Sequence, residues 1–119
     1  MQHRKLKKWL QMGGHCDGEC DTRSVALRES QEEAGSTTIR LLHMEIIDLD
    51  IHRIPKSSQE PEHFHYDVRY VGLCEEPQSI QKAEAECTDL KWFTWEEAFQ
   101  VAEETSMHRV FNKIIQMNR

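Results

Sequence analysis

Two glycines and four charged residues constrain this chain more than anything else in it. Gly14, Arg28, Glu29, Glu32, Glu33 and Gly35 fall within one short segment, with thirteen residues between Gly14 and Arg28. Asp21 or Thr22 can cap a following helix, because a short side-chain oxygen accepts the unpaired N–H groups of a first turn. Ser24 to Ala34 contains neither proline nor glycine, and Gly35 supplies the residue that tolerates positive φ at a helix C-terminus. The segment therefore predicts a short helix entered from a glycine loop. Glu29, Glu32 and Glu33 stand at i, i+3 and i+4, on one face of that helix.

Like charges at that spacing repel and destabilise an isolated helix, and a bound divalent cation would relieve the repulsion. Carboxylate oxygens are hard ligands that suit Mg²⁺, Mn²⁺ or Ca²⁺. Mg²⁺ typically takes a few carboxylates, keeps several waters and bridges to substrate phosphates. Taken alone, a Glu-x-x-Glu-Glu run is also compatible with a solvated acidic face.

The full spacing resembles the Nudix box, G-x5-E-x7-R-E-U-x-E-E-x-G-U with U apolar. Six of its fixed positions are matched, and at a usage of roughly 7% per residue type such agreement arises by chance in on the order of one window in ten million. Cys20 stands at the first box glutamate, between Glu19 and Asp21, and Ser30 and Ser36 stand at apolar positions. With Cys20 there, either Glu19 or Asp21 is expected to bond Arg28, or the support of the box is weaker. The resemblance implies an α/β/α sandwich with a mixed β-sheet and the hydrolysis of a diphosphate linkage in a nucleoside diphosphate derivative. It also implies that Glu29, Glu32 and Glu33, with the Gly14 carbonyl, hold Mg²⁺ or Mn²⁺, and that Arg28 orients the glutamates. The general base is one of these acids or a glutamate on a later loop, for which Glu84 and Glu86 are candidates. Relatives usually carry one or two strands ahead of the box, so this chain is expected to lack the usual N-terminal strands. Strand exchange or a homodimer would compensate. A non-catalytic module that binds a nucleotide or a partner, or an inactive truncated product, is the alternative to an enzyme.

At 119 residues the chain is expected to form one domain, 1–119. Its net charge of −6 argues against non-specific nucleic-acid binding, which needs basic patches, while leaving a small-molecule nucleotide substrate open. No apolar run reaches the length of a membrane span, and the basic start is not followed by the apolar stretch of a signal peptide. Cys16, Cys20, Cys74 and Cys87 form no C-x-x-C pair, so free thiols in a reducing cytoplasm are expected. A soft-metal site from His15, Cys16 and Cys20 is the minor alternative.

Beyond the box, residues 37–54 are rich in β-branched and apolar side chains and predict a strand. Residues 55–61 predict a turn or loop, and 63–73 a second strand with period-two alternation. His63, His65, Asp67 and Arg69 then share one face, and Phe64, Tyr66, Val68 and Tyr70 the other. Asp48, Asp50 and His52 share a face of the first strand. Paired as a hairpin, the polar faces could form the solvated side of a sheet or the wall of a substrate pocket carrying His52, His63, His65 and Asp67. They could also give extra metal and phosphate contacts, or a zinc site from His63 and His65. Pro77 to Ala85 is a polar linker, and Asp89 to Phe93 predicts a short strand. Thr94-Trp-Glu-Glu97 is a capping box opening a helix to about Thr105. A last helix from Ser106 carries Met107, Val110, Phe111, Ile114 and Ile115 as a core-facing stripe. Trp9, ahead of the glycines, is expected to pack in the core or against a loop.

Overall fold

The computed structural model of the chain describes residues 1–3, 7–81 and 87–117. Its elements run β1 (Gln2–His3), α1 (Thr22–Ala34), β2 (Ile39–Leu41), β3 (Asp48–Ile54), β4 (His63–Arg69), β5 (Gly72–Cys74), a 3-10 turn at Pro77–Ser79, β6 (Cys87–Asp89), α2 (Trp95–Val101) and α3 (Thr105–Met117). The class is α/β, as expected. Among the described residues the strands pair antiparallel, as β1–β6, β2–β5 and β3–β4.

Each of the two long strands expected from the sequence is divided in two. Beyond the β2–β5 ladder the Leu42 N–H bonds the Val71 carbonyl at 2.8 Å, and the Ile47 N–H bonds the Arg69 carbonyl at 2.9 Å, next to the β3–β4 ladder. Four residues, His43 to Ile46, thus oppose the single residue Tyr70. The surplus loops outward as an enlarged bulge, which interrupts pairing locally and bends the ribbon.

α1 is built as its sequence dictates. Asp21 is the N-cap and accepts from the Ser24 N–H. Gly35 ends the helix in the left-handed region at φ 61°, where a side chain would be strained. The Ser36 N–H reaches back to the Gln31 carbonyl at 3.1 Å. Ser36, at an apolar box position, is buried. Its hydroxyl is bonded to those of Thr38 at 2.9 Å and Ser79 at 2.6 Å, so a polar residue is tolerated there because its hydrogen bonds are made.

The strand expected at Asp89–Phe93 lies earlier, at Cys87–Asp89. Its antiparallel partner β1 is only two residues long, and Asp89 already opposes Gln2, the first residue of β1, so the ladder stops there. The following residues are held differently: the Trp92 indole donates to the Pro77 carbonyl at 2.9 Å, and Phe93 meets Trp9 edge to face at 4.9 Å. Glu84 and Glu86 lie outside the described residues. The Thr94 capping box forms in full, but α2 stops at Val101, short of Thr105. Helix α3 buries Met107 and Val110, and Val25, Ala34, Ile39, Cys87 and Ala102 are also buried; Phe111 lies against Phe99 and Trp95 of α2. Among the described residues no helix is long and apolar enough to cross a membrane.

Candidate active site

Helix α1 and the glycine loop meet through two of the three glutamates. Glu33 is 3% exposed, and its carboxylate accepts the Gly13 N–H at 3.1 Å. Glu29 lies against Gly14: a Cβ on Gly14 would stand 2.6 to 2.9 Å from the Glu29 carboxylate atoms. Only a glycine permits that approach, so Gly14 acts here through its missing side chain. Glu32 is exposed. The three acids do not draw their oxygens together as a cluster; the described residues whose ligand atoms all lie within 4.8 Å of one another are Asp50, His52 and Asp67.

The donor chemistry of the box still fits a hard divalent cation. Three carboxylates and a backbone carbonyl offer oxygen only, and the space where a Cβ would sit is filled by the Glu29 carboxylate. Arg28 is half exposed and stands 3.9 Å from a Glu29 oxygen. At that distance in solvent the pair contributes little. The bond expected from Glu19 or Asp21 to Arg28 is not made. Glu19 accepts from the Asp21 N–H at 2.9 Å, and Asp21 is occupied by Ser24 and Arg23. Cys20 is exposed, its thiol 4.0 Å from the Gly18 carbonyl.

The polar face of β3–β4 comes to this loop. In the ladder His52 opposes His65, Asp50 opposes Asp67 and Asp48 opposes Arg69. The His15 ring, one residue after Gly14, meets the His65 ring edge to face at 5.4 Å. Arg69 donates to the Gln11 side chain at 2.9 Å, a second tie between β4 and the segment leading into the glycines. Around His65 gather His63, its Nε2 3.2 Å from His65 Nε2, and His52 with ring centroids 5.4 Å apart. His52 in turn lies 3.2 Å from an Asp67 oxygen. Burial holds the His65 pKa below its ordinary value, and the neighbouring imidazoles of His63, His15 and His52 push the same way. All four residues expected from the sequence, His52, His63, His65 and Asp67, thus stand in one group beside the box loop.

That face turns inward at its Arg69 end, while His52 at the other end stays exposed. Asp48 and Arg69 are buried, whereas Leu49, Ile51, Phe64 and Tyr66 on the opposite face are each more than half exposed. The inversion has an electrostatic cause. Asp48 accepts from Arg69 at 2.8 Å, from Arg109 at 2.8 and 2.9 Å and from Lys113 at 2.6 Å. Hydrogen bonds from Arg109 first, then Lys113 and Arg69, hold its carboxyl far below the usual carboxylate range against the cost of burial. The Arg109 guanidinium is correspondingly raised, chiefly by its bonds to Asp48. Asp50 and Asp67, like charges directly opposite each other, would repel; Arg69 lies 3.8 and 3.6 Å from them. Sequence reasoning placed Asp48 and Arg69 on this face but missed Arg109 and Lys113. Their i, i+4 spacing on α3 was the available signal. An open groove lined by His43, Ile46, Val71, Lys113 and Met117 includes no residue of α1 or the glycine loop.

A glycine loop thus lies against a glutamate-bearing helix in an α/β domain. The chain matches the NUDIX domain over residues 1–113, and it belongs to the Nudix family. No curated protein sequence matches it.

Proposed function

We propose that the chain is a divalent-metal-dependent hydrolase of a diphosphate linkage in a nucleoside diphosphate derivative, acting as a single domain in the cytoplasm. The observation that carries this is the pairing of Glu33 with Gly13 and of Glu29 with Gly14 in a member of the Nudix family. Glu29, Glu32 and Glu33, with the Gly14 carbonyl, would hold Mg²⁺ or Mn²⁺. When bound, such a cation lowers the pKa of an attacking water and stabilises the leaving phosphate. Buried Glu33 is held by the Gly13 N–H and Glu29 lies against Gly14, and exposed Glu32 is able to turn toward a cation. One of these acids, or a glutamate on a later loop, would take the proton of the attacking water. Arg28 steadies Glu29. His52, His63, His65 and Asp67, gathered beside His15, form the wall that faces substrate.

The test is Mg²⁺-dependent release of phosphate products across a panel of nucleoside diphosphate compounds. Glu33→Gln keeps an acceptor for the Gly13 N–H but removes the charge, and turnover is expected to fall by roughly a hundredfold or more with the circular dichroism spectrum unchanged. An unaltered rate in that variant would refute the role given to Glu33. A second reading is a non-catalytic module that binds a nucleotide, favoured by Cys20 in place of a box glutamate and by the long Arg28–Glu29 contact. It predicts saturable nucleotide binding with no product at any Mg²⁺ concentration.

A further inference from the structure

On the reading that Glu29, Glu32 and Glu33, with the Gly14 carbonyl, hold a divalent cation, we propose that Gln11 is a positioning residue for that site, acting through the backbone of the glycine loop. Two parts of the site belong to the loop: the Gly13 N–H, which holds Glu33 at 3.1 Å, and the Gly14 carbonyl. Both are backbone groups, so their aim is set by the course of the chain and by no side chain of their own. Glycine gives up the most backbone freedom on folding, and two in succession need to be fixed from outside.

The fixed point is Arg69. It is buried, and its guanidinium is held at both terminal nitrogens. Nη1 donates to Asp48 at 2.8 Å. Nη2 stands 3.5 Å from the Ser106 hydroxyl and 3.6 and 3.8 Å from carboxylate oxygens of Asp67 and Asp50. A rigid planar fork pinned in this way fixes the direction of its remaining N–H. That Nε–H donates to Gln11 Oε1 at 2.9 Å. Gln11 stands two residues before Gly13, so the anchor confines the Gly13 Cα to within roughly 7 Å of its own. Arg69 gains little from the bond, since Asp48 already neutralises it, whereas the loop gains a rigid post. Through Asp48 that post is joined to Arg109 and Lys113 of α3. Gln11 itself is exposed, so replacing it opens no cavity in the core, and its use is the hydrogen bond.

Metal binding and loop order can both be measured apart from turnover. Mn²⁺ is titrated into the intact chain and the free ion read by electron paramagnetic resonance, while amide exchange at Gly13 is followed by NMR without metal. Gln11→Met keeps the length of the side chain and removes the acceptor. It should bind Mn²⁺ about tenfold more weakly, the lower end of what outer partners of a metal site are worth, and Gly13 should exchange about tenfold faster as the loop opens locally. The thermal midpoint should change little. Gln11→Glu keeps an acceptor oxygen and should hold at least the parent affinity, while Gln11→Asn, one methylene short, should fall with Gln11→Met. A merely structural tie would move the midpoint and leave the Mn²⁺ affinity of the folded chain where it was. Parent-level Mn²⁺ affinity in Gln11→Met, or a Gln11→Glu chain as weak as Gln11→Met, would overturn the proposal. Glu29→Gln separates that failure from failure of the underlying reading: if it binds Mn²⁺ as the parent does, the box is not the cation site, whereas weakened binding there beside parent-level binding in Gln11→Met removes the role of Gln11 alone.

Discussion

Two groups of carboxylates in this molecule have opposite surroundings. Asp48 is buried and saturated, with three cationic side chains on one carboxylate. The box glutamates share an α-helical face with one loosely placed arginine, 3.9 Å from Glu29. A fully compensated anion has nothing left to offer a ligand, and its use is to fasten β3 and β4 to α3. Glu29, lying against a glycine surface with Arg28 at 3.9 Å, keeps charge in reserve, at a cost in helix stability. The contrast separates a structural anion from a binding one, although both are acids on regular elements.

The largest effect expected from breaking this contrast is on stability. Asp48→Asn leaves Arg69, Arg109 and Lys113 facing a neutral amide, and removing one partner of a buried ion cluster costs about 3–5 kcal/mol. Urea unfolding should show that loss as a lower midpoint. The same carboxylate sets an acid limit. Its folded pKa is depressed, so its contribution is fully present above the ordinary aspartate pKa of roughly 3.9. It is lost as pH falls below that value toward the folded pKa, because the unfolded chain then binds the proton first. Stability measured from pH 5 downward should therefore drop steeply in the parent and less steeply in Asp48→Asn. Equal slopes would mean that Asp48 is not the titrating anchor.

The box was legible in the sequence because its chemistry is local. Cap, glutamates and terminal glycine lie within one helix, and each acts over a few residues, so Glu29, Glu33 and Gly35 could be placed from spacing alone and the cap narrowed to Asp21 or Thr22. The alternation of β3 and β4 was equally plain, and the grouping of His52, His63, His65 and Asp67 follows from it. What spacing could not show is which face turns inward. Apolar residues ordinarily decide that, but here Asp48 and Arg69 are buried while Phe64 and Tyr66 are exposed, because the cations that claim Asp48 come from α3, more than half the chain away. The break at residues 43–46 was hidden for a related reason: apolar content continues through Leu42 and Ile46–Ile47, and only the partner strand shows that four residues oppose one. His15 joins the histidine group across a similar gap, and its position beside Gly14 was the only hint.

A smaller effect, on rate, comes from Gly14→Ala. The added methyl would meet the Glu29 carboxylate at 2.6 to 2.9 Å. That carboxylate is the far end of a flexible side chain, so it can swing aside, and stability should change by less than about 1 kcal/mol. The acid would no longer lie against the loop. A displacement of that size costs roughly a hundredfold in turnover when it misplaces a catalytic group. Steady-state kinetics at saturating Mg²⁺, alongside thermal unfolding, would check both halves. A variant that loses stability and keeps its rate would reverse the assignment of structural and functional carboxylates.

The smallest effect belongs to a site outside both regions and calibrates them. Thr94 caps α2, its hydroxyl accepting the Glu97 N–H at 3.2 Å while the Glu97 carboxylate accepts the Thr94 N–H at 3.0 Å. Thr94→Ala removes one of these reciprocal bonds and should lower stability by about 1 kcal/mol. α2 touches α3 through Trp95 and Phe99 against Phe111, and α3 carries Arg109 and Lys113, so a frayed α2 could loosen the Asp48 cluster at second hand. If it does, Thr94→Ala and Asp48→Asn will be less than additive in a double-mutant cycle. Additive losses would show that the cluster holds α3 without help from α2, while turnover per folded molecule should stay at the parent value in Thr94→Ala, since neither the glycine loop nor α1 is touched.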